Sequence, residues 1–382
     1  MAKGTLFLTG GTGFLGSHIA AELIRRKYRV ILAIRSRWGK NPSARVRSLL
    51  NWLEIEPEGL LEVVEAQIEQ PYLGLHRNQL RAIGSRIDGV FHCAADTSFA
   101  ARKESMADRV NITGLRYVFE ALGNCRHFYH MSTAYVAGKK EGICGEEIEP
   151  EGFFNNPYEK SKYQAEKEIT RLCTGAGIPL TVFRPSIVYG DSISGRSLRF
   201  NALYYPVRMV ISLRDAFLRD IQNREGSRAQ KMGVSLDSDN RLNMPIRIPD
   251  QGGGLDLIPI DHLTRAVMAI MDEGHEGIFH LINPVKKSLS DLIGYIQTYS
   301  RVSGIVPVAG GRGGAAEPLE MLIDELMSLY DPYLCDRRVF DDSRTRPILK
   351  GAGLVCPDLD YDSFSRCMDY AIQNRWGATL RI

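Results

Sequence analysis

Short apolar segments alternate with amphipathic stretches through the first half of the chain. Six of these segments, residues 5–9, 29–34, 61–65, 89–93, 127–131 and 180–184, have the length and apolar content of buried strands. The stretches between them, including residues 106–122 and 157–172, have the length and polar spacing of helices. Strands that alternate with helices form a parallel sheet with helices on both faces. The pattern therefore predicts an α/β fold, a doubly wound parallel sheet, over residues 1–190.

The pattern changes in the second half. An apolar and aromatic stretch over 200–218 is followed by a polar loop rich in Asp, Asn and Gly, and sheet-like segments return at 255–260 and 277–282. We predict that residues 255–283 complete the sheet and that 191–255 form an insertion on its substrate side. Residues 284–382 are predicted to be a smaller, mainly helical C-terminal substrate subdomain, with a glycine-rich hinge or loop at 309–316.

A glycine-rich motif joins the first strand to the first helix. Residues 4–16 read G-T-L-F-L-T-G-G-T-G-F-L-G, and Gly11, Gly13 and Gly16 satisfy G-x-G-x-x-G between the strand and a helical stretch at 17–26. Glycines allow a tight turn and let the backbone approach a pyrophosphate at the helix N-terminus. The alternative is a glycine-rich connector, but the context favours a Rossmann dinucleotide-binding domain over residues 1–190.

Arginines follow the second strand, where folds that prefer NAD place an acidic residue. Arg35, Ser36 and Arg37 occupy this position, and arginine complements the 2′-phosphate of NADPH rather than the 2′-hydroxyl of NADH. NADPH is therefore the expected cofactor and NADH the less favoured one. The alternative is that both arginines are ordinary solvated loop charges. Arg35 lies nearer the strand end and is the stronger candidate.

Three side chains have the spacing of a carbonyl reductase site. Tyr158 and Lys162 are one helical turn apart in N-P-Y-E-K-S-K, and Thr133 ends an apolar strand upstream. A free tyrosine has a pKa of about 10, and a neighbouring lysine favours the phenolate. A hydroxyl nearby can hydrogen-bond a substrate carbonyl. The set predicts carbonyl/alcohol redox chemistry, although Y-x-x-x-K taken alone is more typical of a solvated helix face.

Together these motifs resemble a known superfamily. T-G-G-T-G-F-L-G, F-H-C-A-A-D, V-N-I-T-G-L-R, H-M-S-T-A-Y-V-A-G, Y-E-K-S-K-Y-Q-A-E, F-R-P-S-I-V-Y-G and L-I-P-I-D-H-L stand in the order of the extended short-chain dehydrogenases/reductases. Within that superfamily the chain is most similar to the thioester reductase and fatty acyl-CoA reductase branch, the male-sterility-type NAD(P)-binding proteins. The resemblance covers residues 4–190 well and 256–283 moderately.

The resemblance implies a role for each matching residue. Thr133 takes the position of the catalytic hydroxyl and Tyr158 that of the proton donor. Lys162 would lower the pKa of the tyrosine and bind the nicotinamide ribose, and Asn111 would help to order the active-site helix and the cofactor. The implied cofactor-binding residues are Gly10, Thr12, Gly13, Phe14, Leu15, Gly16, Arg35, Arg37, Gln67, Ile68, Ala94, Ala95, Asn111, Tyr158, Lys162, Pro185, Ile187 and Val188.

One position departs from the pattern of the superfamily. Glu65-Ala66-Gln67-Ile68 follows the third strand in place of the usual Gly-Asp-Leu/Ile. The contact to adenine that an aspartate normally makes would then fall to Gln67, whose amide can donate or accept a hydrogen bond.

Composition narrows the class of protein without naming a substrate. The net charge of +3 over 382 residues does not indicate nucleic-acid or membrane binding. Seven cysteines without C-x-x-C spacing argue against a disulfide framework and a metal site, and favour a reducing compartment. No stretch is as long and apolar as a transmembrane helix. A signal peptide is not expected either, because glycines interrupt the first apolar run. A cytoplasmic enzyme is expected, with its oligomeric state open.

Basic and apolar residues are interleaved in the insertion between Arg196 and Lys231. Such a segment could line an acyl channel and present arginines to the phosphates of coenzyme A or to an acidic carrier protein. An amphipathic helix packed on the core is an equally good interpretation. We therefore expect an NADPH-dependent reductase of an acyl thioester, carried on coenzyme A or a separate acyl carrier protein, or of the derived aldehyde. The alternatives are a nucleotide-sugar epimerase, dehydratase or reductase and a non-catalytic dinucleotide-sensing regulator.

Overall fold

The fold is built around one parallel sheet, described by a computed structural model of residues 3–36, 41–223, 225–334 and 336–380. The strands are β1 Thr5–Thr9, β2 Arg29–Ile34, β3 Leu61–Glu65, β4 Gly89–His92, β5 His127–Met131, β6 Gly142–Cys144, β7 Leu180–Pro185, β8 Ile187–Tyr189, β9 Ser235–Leu236, β10 Leu242–Asp250, β11 Leu257–Pro259, β12 Gly277–Leu281, β13 Val302–Ala309 and β14 Arg338–Phe340. The helices are α1 Phe14–Arg25, α2 Pro42–Leu53, α3 Arg77–Gly84, α4 Glu104–Asp108, α5 Gly114–Leu122, α6 Pro157–Ala176, α7 Tyr204–Asn223, α8 Ser227–Lys231, α9 Ile260–Asp272, α10 Leu289–Ser300, α11 Pro318–Met327, α12 Asp331–Leu334, α13 Thr345–Gly351 and α14 Tyr361–Gln373.

Seven strands form the central sheet in the order β12-β7-β5-β4-β1-β2-β3, and every neighbouring pair is parallel. The predicted α/β fold, a Rossmann-like doubly wound sheet, is confirmed. Strands β1, β2, β3 and β5 have the predicted bounds, and β4 and β7 each differ from the prediction by one residue. The strand order reverses between β1 and β4, which places a crevice at their carboxyl ends.

Alternating side chains of the strands fill two hydrophobic layers. Leu6 and Leu8 of β1 pack with Ile19 of α1 and Leu263 of α9 on one face of the sheet. Phe7 of β1 points to the opposite face, into a second layer formed largely by α3, α5 and α6. Because both faces are covered, the strands read as continuous apolar runs, and the sequence pattern locates them well.

Two predicted segments differ in detail from the structure. The helix expected over 106–122 is divided into α4, a π-helical turn at Arg109–Thr113, and α5. The strand expected over 255–260 is shorter, because α9 begins at Ile260, and β11 pairs with β8 rather than with the central sheet. In this part of the chain β12 alone joins the central sheet, as its edge strand beside β7.

The insertion and the C-terminal region share a smaller sheet and a core. Strand β10 pairs with β13 in parallel and with β9 in antiparallel orientation. Val210 of α7, Ile293 of α10 and Ile323 of α11 pack together in the core beside this sheet. Strand β13 was not predicted in the mainly helical region, since Gly304 and Pro307 interrupt its apolar pattern. Pro307 is tolerated because β13 is an edge strand.

None of the helices in the described ranges combines the length and apolar character needed to cross a bilayer.

Candidate active site

Two cavities meet the carboxyl edge of the central sheet. The smaller cavity, about 200 Å³, lies where the strand order reverses and includes Gly10, Gly13 and Ala94 in its wall. The larger cavity, about 1040 Å³, includes Thr133 and Tyr158 and extends toward the insertion and the C-terminal region. Ligands of open parallel sheets bind in this crevice.

The glycine loop lets backbone form the floor of the smaller cavity. Gly10 has φ +73°, and a Cβ there would lie 2.6 Å from Ala94 N. A Cβ on Gly16 would collide with Gly10 O. Gly13 caps the N-terminus of α1, and its N–H donates to Gly10 O at 2.8 Å. This tight turn ahead of a helix N-terminus fits the pyrophosphate of a dinucleotide.

The smaller cavity brings together part of the predicted cofactor set. The predicted cofactor-binding residues that line this cavity are Gly10, Thr12, Gly13, Arg35, Ile68, Ala94 and Ala95. Phe14, Leu15 and Gly16 form the first turn of α1 beside it. Arg37 lies outside the described residues. Gln67 is exposed and accepts a hydrogen bond from Gln70 at 2.7 Å, whereas its neighbours Ala66 and Ile68 line the wall. The assignment of Gln67 to adenine therefore has no support from its side-chain position.

Arginines converge on the same cavity. Arg35 forms an exposed ion pair with Glu69, with Nη1 3.2 Å from Oε1. Arg45 of α2 donates from Nη1 to Arg35 O at 2.9 Å and from Nη2 to Thr12 Oγ1 at 3.2 Å. Arg45 and Arg199 also line the wall, and neither was predicted from the sequence as a cofactor contact. The signal for Arg45 was its position in the first turn of the helix that follows β2.

Thr133 and Tyr158 lie together in the wall of the larger cavity. Thr133 caps the short helix Ala134–Ala137, and its hydroxyl donates to Pro185 O at 3.3 Å. Tyr158 is the second residue of α6, whose N-terminus Asn156 caps by accepting from Glu159 N at 3.1 Å. Burial raises the pKa of Tyr158, and a hydrogen bond with Thr133 opposes this shift. The phenol of Tyr158 and the hydroxyl of Thr133 therefore face one space.

Lys162 lies almost fully buried one turn further along α6. Its Nζ donates to Met131 O at 2.7 Å and lies 3.3 Å from Nε2 of His130. Burial lowers the pKa of Lys162 to about 8, and the charge of Glu166 opposes the shift. Lys162 was expected to lower the pKa of Tyr158, whereas desolvation is the dominant influence on that pKa and raises it. The tuning role of Lys162 stays a prediction.

Asn111 connects two elements of the site. It lies in the π-helical turn and is buried. Its Oδ1 accepts from Asp96 N at 2.7 Å, and its Nδ2 donates to Ser161 Oγ at 2.9 Å. Ser161 Oγ donates in turn to Tyr158 O at 3.0 Å. Asn111 therefore connects the loop after β4 to the first turns of α6, and π-helical turns of this kind are frequent at functional sites.

The larger cavity has a mainly aliphatic far wall. Ile187 and Val188 line it near Tyr158, while Pro185 contributes the carbonyl that Thr133 binds. Its aliphatic residues come from the insertion and the C-terminal region and include Leu203, Met209, Val210, Leu292, Ile296 and Ile323. Its polar residues include Ser186, Asn201, Gln251, Asp324 and Asp331. Such a wall suits an extended apolar ligand more than a polar one.

Aromatic residues that were not predicted from the sequence surround Tyr158. The ring of Phe99 stacks on Tyr158 with centroids 6.0 Å apart and on Tyr333 at 5.6 Å. Tyr333, which also lines the cavity, donates to Glu159 Oε1 at 2.6 Å. The C-terminal region is therefore hydrogen-bonded to the first turn of α6. Only long-range packing reveals this contact, since the two residues are far apart in sequence.

Several arginines of the insertion are engaged within the fold. Arg196 pairs with Glu54 at 2.5 Å and packs on the ring of Trp52. Arg214 pairs with Asp215 at 2.7 Å and donates to Ser300 O. Among the described residues, no group of three His, Cys, Asp or Glu side chains lies close enough to hold a metal ion.

Comparisons with known proteins agree with this geometry. The NAD-binding family model described as "Male sterility protein" matches residues 8–267. A linear gramicidin synthase from Brevibacillus parabrevis is 24% identical over 95% of this chain, which spans 7% of that protein. The fatty acyl-CoA reductase wat of Drosophila melanogaster is 24% identical over 60% of this chain and 52% of its own length.

A solved structure shares the fold at low identity. The thiolation-reductase di-domain from an archaeal non-ribosomal peptide synthetase has a TM-score of 0.70 and 18% identity, and the match covers 98% of this chain and 76% of that one. The family match extends over more than half of the chain and includes the glycine loop, Thr133, Tyr158 and Lys162. The chain therefore belongs to the male sterility protein family, within the extended short-chain dehydrogenases/reductases, and is an NAD(P)-dependent oxidoreductase.

Proposed function

We propose that the protein is an NADPH-dependent reductase of an acyl thioester or the derived aldehyde. The observation that carries this proposal is the position of Thr133 and Tyr158 in a cavity whose far wall is aliphatic. A carbonyl at the near end would lie beside a hydroxyl and a phenol, and its acyl chain would extend along the apolar wall.

The chain offers a matched surface for the cofactor. The glycine loop would hold the pyrophosphate at the N-terminus of α1. Arg35 and Arg45 border the same cavity and would bind the 2′-phosphate of NADPH, since guanidinium groups match phosphate geometry. Ala94 and Ala95 would lie against the adenosine ribose. The bound cofactor supplies the hydride for the reduction.

Two side chains in the larger cavity would bind and protonate the carbonyl oxygen of the substrate. The single hydroxyl proton of Thr133 would turn from Pro185 O to the carbonyl oxygen of the substrate, and the phenol of Tyr158 would give its proton to that oxygen as charge develops on it. One hydride and one proton convert a thioester to a hemithioacetal, which collapses to an aldehyde and a free thiol. A second hydride and proton would give the alcohol.

The substrate class follows from the wall of the cavity and from the relatives. A sugar nucleotide needs polar partners for its base and its diphosphate, and the far wall is mainly aliphatic. The similar proteins include a fatty acyl-CoA reductase and a thiolation-reductase di-domain. These similarities support a thioester carried either on coenzyme A or on a separate acyl carrier protein.

Cofactor oxidation with a panel of carbonyl substrates tests the proposal. The protein is mixed with NADPH and with acyl-CoA, acyl-carrier, aldehyde or UDP-hexose substrates, and absorbance of the nicotinamide is followed. We expect turnover of a long-chain acyl thioester or aldehyde. Epimerisation begins with oxidation of the sugar and leaves the cofactor unchanged overall, so the UDP-hexose is incubated separately with NAD⁺ or NADP⁺ and the sugar nucleotides are analysed directly. An epimerised product would favour the epimerase alternative, and NADPH binding without turnover of any substrate would favour a dinucleotide sensor.

Ionic strength separates the two thioester carriers from the free aldehyde. Exposed charges more than about 10 Å apart are screened at 0.1 M salt. If arginines meet the phosphates or carboxylates of a carrier, activity on the thioester falls steeply with added salt while activity on the matching aldehyde changes little. Equal salt responses would contradict a role for the basic insertion in recognising the carrier.

A further inference from the structure

Two stacked histidines lie behind the lysine of the active site. His92 of β4 and His130 of β5 are buried, with ring centroids 5.7 Å apart and an interplanar angle of 12°. His92 Nδ1 is 2.9 Å from Thr9 Oγ1, and His130 Nε2 is 3.3 Å from Lys162 Nζ. The pair therefore connects the end of β1 with the active-site helix.

The charge of Lys162 decides what His130 offers to it. When Lys162 is an ammonium it can only donate, so Nε2 of His130 accepts from it and the ring proton lies on Nδ1. That Nδ1 has no hydrogen-bond partner among the described residues. An unpaired buried N–H is costly. The fold accepts the cost of an unpaired Nδ1–H on the same ring whose Nε2 binds Lys162.

Other charged groups around Lys162 do not replace this contact. Glu166, one turn further along α6, is bound by Arg184 of β7 at 2.7 Å. Cys93 follows β4, and burial raises the pKa of its thiol to about 12, so it remains neutral. Burial also lowers the pKa of His92 to about 3 and that of His130 well below its ordinary value. Both imidazoles are therefore neutral and do not repel the ammonium.

We infer that His130 is a positioning residue, whose neutral imidazole together with Met131 O holds the ammonium of Lys162 and favours its charged form one turn from Tyr158. An ammonium has three donors, and these two contacts orient the lysine while leaving a third N–H for the reaction side. As a contribution to reduction, this role rests on the proposed function. The contact between His130 and Lys162 does not depend on it.

Substitution of His130 tests the contact directly. His130→Phe keeps a ring that can stack on His92 but removes the acceptor, and His130→Gln restores an acceptor near the position of Nε2. His127→Phe, at the opposite end of β5, is the matched control. The titration of Lys162 is followed by NMR of lysine labelled with ¹³C at Cε, with Lys162→Ala identifying the signal.

Loss of the acceptor disfavours the charged amine. We expect His130→Phe to lower the titration midpoint of Lys162 by roughly one to two pH units, the size of a hydrogen bond to a charged group. We expect His130→Gln to recover most of that shift and His127→Phe to leave the midpoint unchanged. A wild-type midpoint in His130→Phe, or a midpoint in His130→Gln as low as that of His130→Phe, would overturn the inference.

The pH profile gives a second readout. If charged Lys162 supports proton transfer by Tyr158, kcat for aldehyde reduction falls as pH rises through the pKa of the lysine. In His130→Phe this fall should begin at a lower pH, with kcat near the wild-type value in the acidic range and KM unchanged. A profile that coincides with the wild-type profile contradicts the role in reduction. If no carbonyl substrate is turned over, the proposed function fails, and the NMR titration still decides the contact.

Discussion

The two cavities at the sheet edge are built in different ways. Backbone and small residues form much of the smaller cavity, where Gly10 and Ala94 bring two chain segments into contact. Side chains from α7, α10, α11 and the second sheet form much of the larger one. The shape of the smaller cavity therefore depends on close backbone contacts, whereas the shape of the larger one depends on side chains that can be exchanged.

Substitution of Tyr158 tests whether the two cavities form one active site. We expect it to have the largest effect on kcat of the changes considered. Tyr158→Phe removes only the phenolic hydroxyl, so we expect a loss of about 10² to 10⁴ in kcat, the usual contribution of a positioned acid. Fluorescence titration should show NADPH affinity close to that of the wild type. Tyr163→Phe is the control, because Tyr163 lies on the same helix as Tyr158 and its hydroxyl donates to Glu149 O, in the segment before that helix, at 2.9 Å. Turnover by Tyr158→Phe at the wild-type rate would exclude the tyrosine as the acid.

The backbone-built cavity should not tolerate a single added methyl group. In Gly16→Ala the new Cβ would collide with Gly10 O, which belongs to the turn itself and cannot move independently. Overpacking typically costs about 1–3 kcal/mol, so we expect a lower melting temperature and NADPH binding weakened by roughly 10- to 100-fold. Gly294→Ala in α10 is the control, since a Cβ there meets no atom within 4 Å. Wild-type affinity in Gly16→Ala would show that the turn is more adaptable than its contacts indicate.

The same contrast explains what the sequence could predict. Strands β1, β2, β3 and β5 are continuous apolar runs covered on both faces, and the glycine loop is a local signal, so both were located from the pattern. Strand β13 contains Gly304 and Pro307 and takes its partner from a distant segment, which local periodicity does not reveal. The contact of Tyr333 with Glu159 likewise depends on the packing of the whole chain.

Individual side chains show the same limit at the smaller cavity. The position of Arg35 followed from the end of β2, but the contribution of Arg45 required the orientation of α2. Gln67 was assigned to adenine by its place in a motif; its exposed side chain accepts a hydrogen bond from Gln70, and the assignment stays a prediction. A motif fixes the path of the backbone, whereas the direction of a side chain at a strand end depends on its neighbours.

Substitution of Arg35 tests whether a side chain makes the smaller cavity prefer NADPH over NADH. Arg35→Ala removes a guanidinium that can bind a phosphate, and hydrogen bonds to charged groups contribute about 1.5–3 kcal/mol. We therefore expect NADPH to bind roughly 10- to 100-fold more weakly and NADH to change little. Arg29→Ala, at the exposed opposite end of β2, should leave both affinities unchanged. Equal losses for the two cofactors, measured by fluorescence titration, would show that Arg35 does not recognise the 2′-phosphate.

The smallest effect per step concerns the length of the acyl chain. Each methylene that reaches the aliphatic wall of the larger cavity should contribute roughly 0.8 kcal/mol, or about a fourfold gain in kcat/KM, until the cavity is full. Met209 of α7 lines that wall, so Met209→Trp should shorten the longest chain that still gains activity while leaving short chains unaffected. Met321→Trp is the control, because Met321 is 61% exposed. A series of aldehydes of increasing chain length gives kcat/KM for the wild type, Met209→Trp and Met321→Trp.

If kcat/KM is independent of chain length in the wild type, the aliphatic wall does not bind the acyl chain. The contrast between the smaller cavity, built from backbone, and the larger cavity, built from side chains, then no longer explains substrate choice. If the length dependence survives unchanged in Met209→Trp, the chain follows a path away from α7.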